Sequence, residues 1–124
     1  MRLLLAVTAI FEGVTALALV LLPGAVARLL LGPPLDTPGA VVARLTGCAL
    51  FALAFICWSA RNDAGLVADR VVAAMLFYNA AAVFLLAYAR LGLGMTGIGI
   101  VPGILAHVAL TVWCGVCLRA SRRA

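Results

Sequence analysis

The chain alternates between long apolar runs and short polar breaks. Four of the runs, Leu3 to Leu22, Ala40 to Ala60, Val71 to Ala89 and Ile98 to Leu118, match a membrane-crossing helix in length. At a rise of about 1.5 Å per residue, roughly 20 apolar residues cross the ~30 Å hydrocarbon layer. No other stretch is long enough to span. The breaks carry turn signals. Pro23-Gly24 ends the first run, and the following Ala25 to Gly32 is too short to cross and holds Arg28 among leucines, as an interfacial turn of helix would. Pro33-Pro34 and Asp36-Thr37-Pro38-Gly39 break that turn, Arg61 to Gly65 opens the link to the third run, and the glycine-rich Leu91 to Gly97 leads to the fourth. Pro102 falls inside the fourth run, so that helix either starts late or kinks there. The pattern predicts an all-α fold: a single integral membrane domain over residues 1–124, a four-transmembrane-helix bundle with a short interfacial segment between the first and second spans.

Composition agrees, since 124 residues that are 67% hydrophobic and 10% charged exceed what a soluble domain needs for one core. The lipid bilayer is therefore the first partner. A net charge of +5 raises the question of nucleic acid. The arginines, however, sit singly at segment ends or in the C-terminal tail, without aromatic interleaving or a basic face, which fits anionic headgroups and excludes nucleic acid. All nine basic residues are arginine, as a GC-rich genome would produce. Arg2 before an apolar run and the Ala25-Val26-Ala27 site imitate a signal peptide, but Leu3 to Leu22 exceeds a typical signal core and contains Glu12, so it reads as the first span.

Four spans put both termini on one side. That side receives Arg2, Arg61, Arg70, Arg119, Arg122 and Arg123, the other only Arg28 and Arg90, which predicts cytoplasmic termini in a bacterial inner membrane. Trp58 and Trp113 then fall near the cytoplasmic ends of their spans and Tyr88 near the outer end of its own, as interfacial anchors do. Gly13, Ala16, Gly47, Ala80, Ala81, Ala82, Gly99 and Gly103 are small and allow close helix contacts. The Gly99 and Gly103 pair has the G-x-x-x-G spacing, for a contact within the chain or between two copies.

Within the spans, Glu12, Asn79 and His107 each lie about nine residues from a helix start, near 13 Å and so close to mid-membrane. Such groups cost roughly 2.5 to 3.5 kcal/mol on insertion scales when charged and persist beside a partner or for a task. Arg44, one turn inside the outer end of the second span, has a side chain long enough to reach Glu12 or to turn outward to headgroups. One reading makes Glu12 and Arg44 a buried pair, with Asn79 and His107 bonding between helices. The other has Glu12, Arg44, Asn79 and His107 lining a polar pocket for a small amphipathic molecule, or for contact with another copy or a larger membrane complex. A metal site is not expected from one histidine, one carboxylate and an amide, and no cofactor is indicated.

Trp113-Cys114-Gly115-Val116-Cys117 spells the W-C-G-x-C of thioredoxins, with Cys57 at a depth similar to Cys114. A reactive thiol of that kind sits at a helix N-terminus, whereas this motif ends a helix, where the dipole opposes a thiolate. Membrane thiol oxidoreductases of the vitamin K epoxide reductase type also carry C-x-x-C on a helix, so redox exchange at Cys114, Cys117 and Cys57 stands as an alternative to apolar packing. Gly92, Gly94 and Gly97 match a dinucleotide fingerprint only by spelling, without the strand that it requires.

The E-G-x-x-A-L segment at Glu12, the Leu22-Pro23 break, the L-L-L-G ending at Gly32 and Arg44-Leu45-Thr46-Gly47 resemble the small bacterial DoxX-like four-helix membrane proteins. The resemblance implies a four-helix bundle, with some relatives linked to quinone-dependent oxidation, and it transfers no catalytic residue. A mid-helix glutamate in the first of four spans is also similar to the small multidrug resistance transporters, where the carboxylate is shared by protons and a cationic drug. Arg44, His107 and the different third helix depart from that pattern. Nothing in the chain requires catalysis. The orientation has a direct check: a C-terminal green fluorescent protein fusion is expected to fluoresce and an alkaline phosphatase fusion at the same point to be inactive, and the opposite pair of results would invert the topology.

Overall fold

A computed structural model describes residues 1–123 as five helices: α1 (Arg2–Leu21), α2 (Pro23–Leu30), α3 (Thr37–Ala60), α4 (Leu66–Leu91) and α5 (Ile100–Ser121). Helices α1, α3, α4 and α5, of 20, 24, 26 and 22 residues, are each long and apolar enough to cross a membrane. The chain is a multi-pass membrane protein built as an all-α four-helix bundle. In hydrocarbon every backbone N–H and C=O must find a partner within the protein, and a helix supplies them along its own length.

Local chemistry sets the helix ends. Pro23 opens α2 at a position where its missing N–H has no intrahelical acceptor to lose. Asp36 caps α3, its carboxylate accepting the Gly39 N–H at 2.8 Å, so the Asp36 to Gly39 break is also the start of the next helix. Gly65 turns the chain at φ 70°. Helix α4 then begins at Leu66, ahead of the apolar run, with Asp69 in its first turn complementing the helix dipole. Pro102 lies in the first turn of α5, which resolves the sequence alternative in favour of a late start.

Packing is by pairs: α1 lies mainly on α3 and α4 mainly on α5, and the two pairs meet along a narrower seam. The first pair closes at Gly47, where a Cβ would come within 2.9 Å of both the Ala16 carbonyl oxygen and a Val20 methyl. The missing side chain lets the backbones approach. In the second pair, Ser121 donates to the Asp69 carboxylate at 3.0 Å, tying the end of α5 to the start of α4. Helix α2 folds onto the α4–α5 connection, where the Gly99 N–H donates to the Leu29 carbonyl at 2.8 Å and any side chain at Gly97 would overlap the Leu30 carbonyl. Gly103 faces Leu30 and Leu86, so the Gly99 and Gly103 contacts fall within the chain.

Near the end that carries both termini, Leu4, Leu5, Val72, Met75 and Leu110 close an apolar core. The large side chains Ile10, Val14, Phe51, Phe55, Phe77 and Phe84 point outward instead. Bulk outside and small or polar residues inside is the arrangement lipid favours, because acyl chains solvate leucine and phenylalanine as well as a core does. Trp58 is exposed with the Arg61 guanidinium 3.8 Å from its ring centroid, as expected for an interfacial aromatic. Trp113 packs half-buried against the core.

Substitution at the close approach tests this packing. Gly47→Ala is expected to destabilise the bundle by about 1–3 kcal/mol through overpacking, read as a lower thermal unfolding midpoint in detergent. Gly115→Ala, which meets nothing within 4 Å, should leave the midpoint unchanged or slightly raised.

Candidate functional site

Three of the four polar residues singled out from sequence meet in the seam between the helix pairs. Glu12 of α1, Asn79 of α4 and His107 of α5 are all buried, at 1%, 0% and 9% exposure. Helices α4 and α5 run antiparallel, so Asn79 and His107 come level and bond directly, Asn79 Oδ1 lying 2.8 Å from His107 Nδ1. Asn79 Nδ2 donates to the Met75 carbonyl of its own helix at 2.7 Å. That carbonyl only accepts, so the amide must turn its Oδ1 to the histidine. His107 Nδ1 is then the donor, and a neutral ring keeps its lone pair on Nε2.

Glu12 joins the cluster through a residue that the sequence reading passed over. The Tyr78 hydroxyl donates to Glu12 Oε2 at 3.2 Å, the side-chain hydrogen bond between the two helix pairs among the described residues. The Tyr78 ring also stands edge-on to His107, with centroids 5.8 Å apart, and Phe11 does the same from α1 at 5.7 Å. Tyr78 gave one signal in the sequence: it lies at mid-span, whereas interfacial tyrosines lie near span ends.

Arg44 does not join them. It is exposed on α3, with Nε donating to the Val20 carbonyl at 3.2 Å, eight residues and so about 12 Å along α1 from Glu12. Of the two directions open to it in the sequence, the outward one is taken. The Glu12–Arg44 pair of the first of the two readings is not formed, and the polar set becomes Glu12, Tyr78, Asn79 and His107.

The carboxyl is incompletely satisfied. Glu12 Oε1 is buried with no hydrogen-bond partner, as are Oγ1 of Thr8, one turn earlier on the same face of α1, and, away from the cluster, Oδ1 of Asp69. Other span threonines behave differently. Thr15, Thr46 and Thr111 each return their hydroxyl to the carbonyl four residues back, at 2.9, 2.9 and 2.7 Å. Thr8 is completely enclosed and does not.

Three of the four thiols lie toward the end that carries the termini, and Cys48 lies midway along α3. Cys57 and Cys114 are fully enclosed in the apolar core, Cys117 packs half-buried against it, and Cys48 is exposed. All four are free. Cys114 and Cys117 occupy the last two turns of α5, the end where the helix dipole disfavours a thiolate. Among the described residues no group of three or more His, Cys, Asp or Glu is placed to hold a metal ion.

The separation of Arg44 from Glu12 is testable by a double-mutant cycle on unfolding in detergent. Glu12→Gln and Arg44→Ala are expected to add within about 0.5 kcal/mol, and a larger coupling would show that the guanidinium reaches the carboxyl. Searches of known families, curated proteins and solved structures found nothing that this chain matches.

Proposed function

We propose that this chain is a small protein of the bacterial inner membrane, with both termini cytoplasmic, whose Glu12, Tyr78, Asn79 and His107 form the polar end of a binding site for a small amphipathic molecule. The observation that carries the reading is the buried Glu12 Oε1 without a partner. A carboxyl that only cross-linked the helix pairs would need Oε2 and Tyr78 alone, and its second oxygen would add a desolvation cost of about 1–3 kcal/mol with nothing returned. A bound polar head returns it. The resemblance to DoxX-like proteins is compatible with such a role and supplies no ligand.

Arg44 favours one second reading. With its guanidinium directed away, Glu12 is free of the cation that would compete with a positively charged substrate, which supports proton-coupled export of the small multidrug resistance kind. That reading expects pH-dependent cation flux in proteoliposomes that Glu12→Gln abolishes, and absence of flux across a broad cation panel would remove it.

The binding reading is tested on protein released from native membranes for intact-complex mass spectrometry. Wild type is expected to retain a small-molecule adduct. Glu12→Gln and His107→Ala should each lower its occupancy by roughly 10-fold or more, the effect of losing about 1.5–3 kcal/mol, while both variants stay monodisperse and helical. Unfolding of both variants would assign the cluster to the structure of the bundle instead.

A further inference from the structure

Resting on that binding reading, we infer that the ligand is a single-chain amphiphile with a hydrogen-bond-donating head, that the head meets Glu12 Oε1 and Thr8 Oγ1, and that the tail stays in the bilayer along a groove on α1 beside Phe11.

The head is defined by what the site leaves open. Glu12 Oε1 and Thr8 Oγ1 are buried, unpartnered and one helix turn apart. In its ionised form Glu12 offers Oε1 only as an acceptor, a hydroxyl does both, and the Asn79 bond leaves His107 with Nε2 as its acceptor. Tyr78 already serves Glu12 Oε2 and the Asn79 amide serves Met75, so the Thr8 O–H is the one donor of these side chains still without a partner. A head that brings O–H or N–H groups serves the carboxylate oxygen, whereas a head that only accepts meets Thr8 alone and leaves Glu12 Oε1 open. Hydroxyl and ammonium heads share that chemistry.

The tail is placed by the surface next to the cluster. Val7, Ile10, Phe11, Val14 and Thr15 line an open apolar groove of about 430 Å³, within the ~300–1,000 Å³ range of small-molecule sites. Ile10 and Val14 are 60% and 66% exposed and so face acyl chains. Phe11 belongs to both environments, because it walls the groove and its ring meets His107 edge-on at 5.7 Å. Thr8 and Thr15, three residues before and four after it, share its side of the helix. Phe11 thus stands between the lipid-facing groove and the polar cluster. The seam between α1 and α5 is far thinner than the contact within either helix pair, so little packing holds the two apart there.

The chain has a single histidine, so its imidazole ¹⁵N resonances report on the site without assignment. Protein in phosphatidylcholine nanodiscs is titrated with dodecanol, dodecylammonium, dodecyl methyl ether and dodecanoate. A saturable shift is expected with dodecanol, dodecylammonium or both, which distinguishes a neutral from a cationic head, and none with the ether or the carboxylate. Val14→Trp, which fills the groove from its lipid side, should raise the apparent Kd at least 10-fold, while Leu17→Trp, an exposed position outside the groove, should not. An equal response to the ether, or an unchanged titration in Val14→Trp, overturns the inference. If none of the four shifts His107 while the native adduct is still lost in Glu12→Gln, the donor-head inference falls and the binding reading stands. If the native adduct is also absent, both fall.

Discussion

The arrangement of this bundle turns on the bond from Tyr78 to Glu12, which joins two helix pairs that otherwise touch along a narrow seam. Each pair is held by its own means: α1 and α3 by the close approach at Gly47, α4 and α5 by the Asn79–His107 and Ser121–Asp69 bonds. Lipid offers the pairs no hydrophobic reason to associate, since their outward phenylalanines and leucines are as well solvated by acyl chains as by each other. A polar contact at the seam therefore carries more of the association here than it would in water. It also concentrates the polar residues of three helices at one level.

Along the helix axis the sequence was highly legible. Run length set the four spans, the proline and glycine breaks set the interfacial α2 and its flanking turns, and counting inward placed Glu12, Asn79 and His107 at one depth, where they meet. Rotation about the axis was not legible. Helices that are apolar all round have no polar face from which to read an orientation, so the depth of Arg44 was readable and its direction was not. Arg44 turned outward, Tyr78 turned inward, and neither follows from spacing. The Cys114 to Cys117 motif shows the same limit from the other side: its place at the end of a helix and apolar packing as one role were readable, and the core residues it joins, Leu4, Leu5 and Met75, were not.

Glycine divides its work between two tasks. Gly47 serves the bundle interior, and Gly97 with Gly99 serves the lid that α2 makes over the α4–α5 connection. The second contact replaces helix dipole and water with a backbone bond: the Leu29 carbonyl, near the unsatisfied end of a short helix, receives the Gly99 N–H. Such closure matters at a membrane boundary, where a frayed helix end would expose carbonyls to acyl chains. It ties the connection after α4 to the segment after α1 and so bridges the two helix pairs at the end of the bundle opposite the termini.

The seam thus has three levels of different character. An apolar core of Leu4, Leu5, Cys57, Val72, Met75, Leu110 and Cys114 seals the end with the termini, the α2 contacts cover the opposite end, and the polar cluster lies between. The proposed site opens sideways, past Phe11, which walls the lipid-facing groove and meets His107 edge-on. A group reached in this way meets molecules that already reside in the bilayer, at the concentration and orientation the bilayer gives them. The proposed binding would set the cost of holding Glu12 and Thr8 incompletely bonded against association from a two-dimensional solvent, where a tail beside α1 has already lost much of the freedom that association removes.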